Sequence, residues 1–232
     1  MGKLFSKGLA HGVPIALGYL SVSFGFGILA VGCDISALGA VIVSLTNLTS
    51  AGQVAGVGVI AAAGTLLEMA LTQFVINLRY ALMGFSLTQK LDDSFNTPKR
   101  LLLSFGITDE IFAVAVSQKG KISASYMAGL ITLPIIGWTL GTLLGAVAGH
   151  FLPAFIADAM GILLYGMFIA IVLPVSRRDK RVLVAVLIAA VCSILFKFVL
   201  TAVSVGFAVI MSALIASVVC AWLFPIDKGE EI

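Results

Sequence analysis

Apolar residues run through this chain in stretches of about 20 residues or more, broken only by short charged loops, and about 20 suffice for a helix to cross a ~30 Å hydrocarbon core. That pattern constrains the fold more than any motif. The chain is 60% hydrophobic and only 11% charged, too little polar surface to clothe a soluble protein of 232 residues. The stretches are continuous rather than alternating with period two, which excludes a β-barrel. The chain is therefore expected to be all-α, a polytopic helical membrane protein forming a single integral membrane domain over residues 1–232.

Eight segments are predicted, at about 9–31, 35–63, 65–88, 98–117, 122–149, 153–174, 181–203 and 206–224. The stretch after Lys3 and Lys7 outruns a signal-peptide core and is read as the first span. With a cytoplasmic N-terminus, Lys3, Lys7, Lys119, Lys121, Arg177, Arg178, Lys180, Arg181 and Lys228 fall inside. Lys90, in the 89–98 loop, and Lys99 and Arg100 just after it fall outside. Both termini are accordingly predicted cytoplasmic. The net charge of +3 is read as membrane orientation, not as nucleic-acid binding.

The informative residues are those the bilayer penalises: Glu68, Arg79, Asp109, Glu110 and Lys197 lie within apolar segments. Glu68 sits near a segment start and suits a solvated or capping role; Lys197 can snorkel. Arg79 and Asp109 fall at similar depth on consecutive antiparallel segments, so an ion pair is the cheapest way to keep both. Asp109 and Glu110 point about 100° apart, so one can stay paired while the other titrates. Glu110 is expected to carry the proton. Alternatively, both carboxylates only bind neighbouring hydroxyls and fix packing. Gln73 and Asn77 add polarity to other sides of the third segment, which places it inside the bundle.

The second segment carries Thr46-Asn47-Leu48-Thr49-Ser50-Ala51-Gly52-Gln53 midway. Ser and Thr compete for the backbone and Gly weakens helix, so a broken helix is expected here, facing a central cavity. Half-helix ends of this kind hold polar substrate groups in transporters. The alternative is a continuous helix packed through small residues. The ridge Gly137, Gly141, Gly145 and Gly149 is read as helix packing. Cys33, Cys192 and Cys220 are scattered, His11 and His150 have no ligand cluster, and no nucleophile or phosphate-loop motif is present. Neither a metal, a cofactor nor an enzymatic activity is expected.

The segments His11-Gly12-Val13-Pro14-Ile15-Ala16-Leu17-Gly18-Tyr19, Ser50-Ala51-Gly52-Gln53, Ile76-Asn77-Leu78-Arg79-Tyr80 and Phe105-Gly106-Ile107-Thr108-Asp109-Glu110 resemble, in order, the AzlC family. The family is the large subunit of bacterial branched-chain amino-acid exporters. Its members often carry an aromatic residue where this chain has Val54. The resemblance implies secondary, proton-coupled export of leucine, isoleucine, valine and methionine across the bacterial inner membrane, with a small AzlD-type membrane subunit as partner. The expected substrate-binding residues are Asn47, Ser50, Gly52, Gln53, Asn77 and Arg79, with Asp109 and Glu110 as ion-pair or proton-coupling groups. A passive channel for small solutes and a non-transporting scaffold subunit are the competing functions.

Overall fold

The computed structural model describes residues 2–149 and 172–225, with a few single residues between them. Among the described residues the elements are helical: α1 (Gly2–Gly32), α2 (Ala37–Thr46), α3 (Ala51–Ala61), α4 (Leu66–Thr88), α5 (Thr97–Ser104), α6 (Asp109–Val116), α7 (Ala124–Ala148), α8 (Lys180–Phe198) and α9 (Val205–Leu223). Residues 172–178 are also helical. Four of these helices, α1, α7, α8 and α9, are long and apolar enough to cross a membrane. The sixth expected segment, opened by Pro153, lies almost wholly outside the described residues, as do His150, Lys228 and the C-terminus.

The chain divides into two compact units, Met1–Val57 with Ile76–Leu164, and Gly58–Val75 with Tyr165–Ile232. The first is built on α1 and α7, which run parallel. Their backbones touch because glycine removes the side chain that would hold them apart. A Cβ on Gly8 would lie 2.2 Å from the Tyr126 carbonyl oxygen, and one on Gly145 would lie 1.9 Å from that of Phe24. Gly137 and Gly141 meet the carbonyls of Ala16 and Leu20 in the same way. The glycine ridge is thus a backbone-to-backbone seam.

Two pairs of short helices lean on this seam from opposite ends. Hairpin α2/α3 starts beside Phe26, Ala30 and Ala146, where Ile35 and Ala37 pack. It reaches the middle of α1 and α7 at Leu48, which packs with Tyr19 and Trp138. It has returned to the Phe26–Ala30 level by Val57. Hairpin α5/α6 starts near the other end, where Phe95 and Leu103 share a core with Ile122, Tyr126 and Met127. Its tip reaches Ile131 at Gly106 and Tyr19 at Thr108. Ile111 and Ala115 then carry it back to the same core. Each short helix spans only about 12–16 Å, half a hydrocarbon core.

These hairpins correct three expectations. The second segment is broken at 47–50, where expected, but within this unit it doubles back instead of completing a crossing. The fourth segment is not continuous; it breaks at 105–108 and also doubles back. Among the described residues four helices, not eight, are long and apolar enough to cross a membrane. The 89–98 loop, expected opposite the N-terminus, lies on the N-terminal side. Asp92 N–H donates to the Ile122 carbonyl at 2.9 Å, and Ile122 N–H to that of Lys90 at 2.7 Å. Lys90 Nζ caps the carbonyls of Val116 and Gln118, and Lys7 Nζ donates to Gln118 Oε1 at 3.2 Å. Lys7, Lys90, Lys99, Lys119 and Lys121 thus share one face. A positive charge excess on a single side is what insertion favours.

In the second unit α8 and α9 pack together, and α8 leaves all its side chains at least partly exposed. Lys197 is exposed near the end of α8, its Nζ 5.6 Å from the Phe198 ring centre. Glu68 is not solvated: it is 3% exposed, and its Oε1 accepts from Ser204 Oγ at 2.5 Å and from Gly206 N–H at 2.8 Å. It therefore caps the N-terminus of α9, where a carboxylate meets the positive end of the helix. Its own N–H donates to Thr65 Oγ1 at 3.1 Å, one half of a capping box at the start of α4.

Candidate functional site: two helix breaks meeting at Tyr19

The tip of α5/α6 shows why the chain breaks there. Gly106 has room only for hydrogen: a Cβ would lie 2.8 Å from that of Ile131. Thr108 follows in extended conformation, and Asp109 and Glu110 occupy the first turn of α6. An N-cap threonine followed by two acids is the pattern of a helix start, since carboxylates are favoured where free N–H groups gather. Here the Thr108 side chain does not cap its own helix. It lies 2.5 Å from Tyr19 Oη, which also lies 2.5 Å from Glu110 Oε2. One phenolic proton cannot serve both oxygens. With Tyr19 donating to the carboxylate, the Thr108 hydroxyl donates to the phenolic oxygen.

Arg79 arrives from α4. Its Nη1 lies 2.8 Å from Asp109 Oδ2, and its Nη2 donates to Tyr80 Oη at 3.2 Å. The guanidinium also sits 5.0 Å from the Tyr80 ring centre. The side chains of Arg79 and Asp109 are 43% and 44% exposed, so the pair opens on a space rather than being sealed in protein. Glu110 is not without a partner, as its direction on the helix had suggested; Tyr19 supplies one. The three ionisable groups carry one formal negative charge when Glu110 is ionised and none when it is protonated.

The other break is neutral. Asn47 ends α2, and its Oδ1 accepts from Thr49 Oγ1 at 2.9 Å. Ser50 has φ 47°, a left-handed conformation uncommon for a residue with a side chain and typical of functional turns. Gly52 and Gln53 are buried in the first turn of α3. Gln53 Nε2 donates to Ser44 Oγ at 3.0 Å, and Ser44 Oγ lies 2.7 Å from Thr142 Oγ1. Asn77 is half-buried on α4, two residues before Arg79 and so on nearly the opposite face.

Tyr19 links the two breaks. It bonds the tip of α5/α6, packs against Leu48 of the other tip, and meets Trp138 edge-on at 5.1 Å. Tyr19 and Thr108 stood in the sequence only as parts of the resembling motifs, with no site role, and Ser44, Trp138 and Thr142 were not singled out. A signal existed for Thr108, since Gly-x-Thr-Asp-Glu reads as a helix start. Nothing in the spacing of Trp138 marks it out, because its role depends on which elements fold against α7. Among the described residues no group of His, Cys, Asp and Glu could hold a metal ion.

The proteins this chain is similar to are membrane proteins. The family model described as AzlC protein matches residues 14–152. Inner membrane protein YgaZ of Escherichia coli (strain K12) is 30% identical over 188 residues, covering 78% of this chain and 76% of that protein. An uncharacterised membrane protein of Archaeoglobus fulgidus is 30% identical over 185 residues, covering 79% and 80%. One of Helicobacter pylori (strain J99) is 28% identical over 202 residues, covering 84% and 86%. No solved structure matches. The region matched by the family model contains α1 from Pro14 onward, both hairpins and α7, and the chain belongs to the AzlC family of membrane proteins.

Proposed function

We propose that the chain is the large subunit of a proton-coupled exporter of branched-chain amino acids. The observation that carries this reading is the meeting of two half-membrane hairpins at Tyr19, with ionised groups at one tip and neutral polar groups at the other. Polar groups at that depth are costly unless they serve a substrate or an ion. Half-helix ends near the membrane middle are the sites where secondary transporters hold both. The resemblance of the motif residues to amino-acid exporters supplies the substrate class: leucine, isoleucine, valine and methionine. Apolar side chains separated by a methylene differ by only about 1–3 kcal/mol in such a site, so broad selectivity among them follows.

In this reading Glu110 carries the proton, with Tyr19 and the α6 N-terminus holding its ionised form, and Arg79–Asp109 keeps the tip of α5/α6 in place. The lysine-rich face carrying Lys7, Lys90 and Lys121 is cytoplasmic, by the positive-inside rule, and the membrane is the bacterial inner membrane. A small AzlD-type subunit completes the exporter.

The test is reconstitution of the purified chain in liposomes, alone and with that subunit, under an imposed proton gradient. Leucine accumulation that collapses with a protonophore is the expected result. Flux indifferent to the protonophore identifies a channel instead. Absence of leucine flux in both preparations identifies a scaffold.

A further inference from the structure

Among the described residues, three buried polar atoms around the neutral break find no hydrogen-bond partner: Gln53 Oε1, Ser50 Oγ and Trp138 Nε1. Gln53 is 1% exposed and Trp138 is 3% exposed, so bulk water does not serve them. Orphaned buried groups are rare because each forfeits its hydration without return, and each calls for a missing partner. The three belong to one interface. Gln53 reaches α7 through Ser44 and Thr142, Leu48 packs on Trp138, and Trp138 lies one turn before Thr142 on the same face.

Their chemistry is complementary. An indole N–H can only donate, and a carboxamide oxygen only accepts. Ser50 precedes the first turn of α3, whose leading N–H groups form the positive end of that helix. A ligand completing this set must accept at one point and donate at another. Arg79 is no free anchor for a carboxylate, because Asp109 already holds it at 2.8 Å.

We propose, building on the exporter reading, that the substrate's zwitterionic head is bound by neutral groups. The carboxylate accepts from the Trp138 indole and the α3 N-terminus; the ammonium donates to Gln53 Oε1. Arg79–Asp109 stays closed throughout, and Glu110 handles the proton alone. A zwitterion has no net charge, so a site without net charge suffices. The same site rejects a 2-oxo acid, which keeps the carboxylate but leaves Gln53 Oε1 unpaired.

The chain has two tryptophans, Trp138 and Trp222, and Trp222 is 81% exposed. In a Trp222→Phe background, Trp138 becomes the sole indole reporter. Leucine is expected to shift its emission, and 4-methyl-2-oxopentanoate is expected neither to shift it nor to compete for transport. In liposomes, Trp138→Phe and Gln53→Met are each expected to raise KM for leucine about ten-fold or more with little change in kcat or pH profile. Glu110→Gln should do the reverse, keeping KM and losing gradient-driven accumulation. Trp138 emission unmoved by leucine at concentrations that saturate transport overturns the proposal, and this arm needs no site variant to fold. So does a wild-type KM in both variants, which would leave ordered water as the partner of these atoms. Competition by the 2-oxo acid equal to that by leucine overturns it as well. If the chain transports no leucine at all, the exporter reading fails first.

Discussion

Replacing Gly145 by alanine tests the seam on which the first unit is built. The new methyl would lie 1.9 Å from the Phe24 carbonyl oxygen and 2.7 Å from its carbonyl carbon. A carbon beside a carbonyl oxygen settles at about 3.3 Å, so α1 and α7 must part locally by about 1.4 Å. Neither atom is a flexible side-chain end; both belong to helix backbone. Overpacking of this kind costs about 1–3 kcal/mol. Alanine's better helix propensity offsets up to about 1 kcal/mol of that. The net expectation is a loss of about 1–2 kcal/mol, or a Tm lowered by about 2–8 °C for a chain of this size. Gly18→Ala is the internal control. It lies on the same α1, with nothing within 4 Å of its added Cβ, so only the propensity gain remains. Its Tm should stay level or rise by up to about 4 °C. The assay is thermal unfolding in detergent, followed by size-exclusion of the surviving fraction. If Gly145→Ala melts with Gly18→Ala, the two helices do not touch backbone to backbone, and the parallel seam is wrong.

The hairpin topology has its own test in cysteine labelling with an impermeant thiol reagent, after removal of Cys33, Cys192 and Cys220. Gly32→Cys should be labelled in whole cells and Asp93→Cys only after lysis; labelling of both from outside would contradict a doubled-back α5/α6. Asp109→Asn should lower the folded fraction by about 1 kcal/mol, not the 3–5 of a sealed pair, because both partners are over 40% exposed. Adding Arg79→Gln should restore part of that loss, and purely additive losses would show that the two do not interact. Glu68→Ala should cost about 0.5–2 kcal/mol by uncapping α9, with faster amide exchange at Gly206; unchanged exchange would remove Glu68 from that cap.

The linear sequence by itself determined the class of fold. Apolar runs of membrane-spanning length leave the backbone no option but helix, because each N–H and C=O must be satisfied within its own segment. It also located a break within the Thr46–Gln53 run, since Asn, Thr, Ser and Gly in an apolar stretch act on the backbone locally; the structure narrows it to 47–50. The pairing of Arg79 with Asp109 was legible from depth alone, because two lone charges in an apolar medium are driven together whatever the details of packing. The glycine ridge on α7 announced a close neighbour without saying which helix it was.

Only the tertiary structure decided the direction of the chain after each break. Hydropathy measures length along the sequence and is the same for a helix that continues and one that turns back. The choice depends on what the returning half packs against: Val57 on Ala30 and Ala146, Ile111 on Ile122 and Met127. The sidedness of the 89–98 loop followed from that choice, carried by the bonds of Lys90 and Asp92 to the start of α7. Tyr19 and Trp138 became part of the centre for the same reason. Each looks like an ordinary membrane aromatic until two hairpin tips, drawn from positions far apart in sequence, are brought against it.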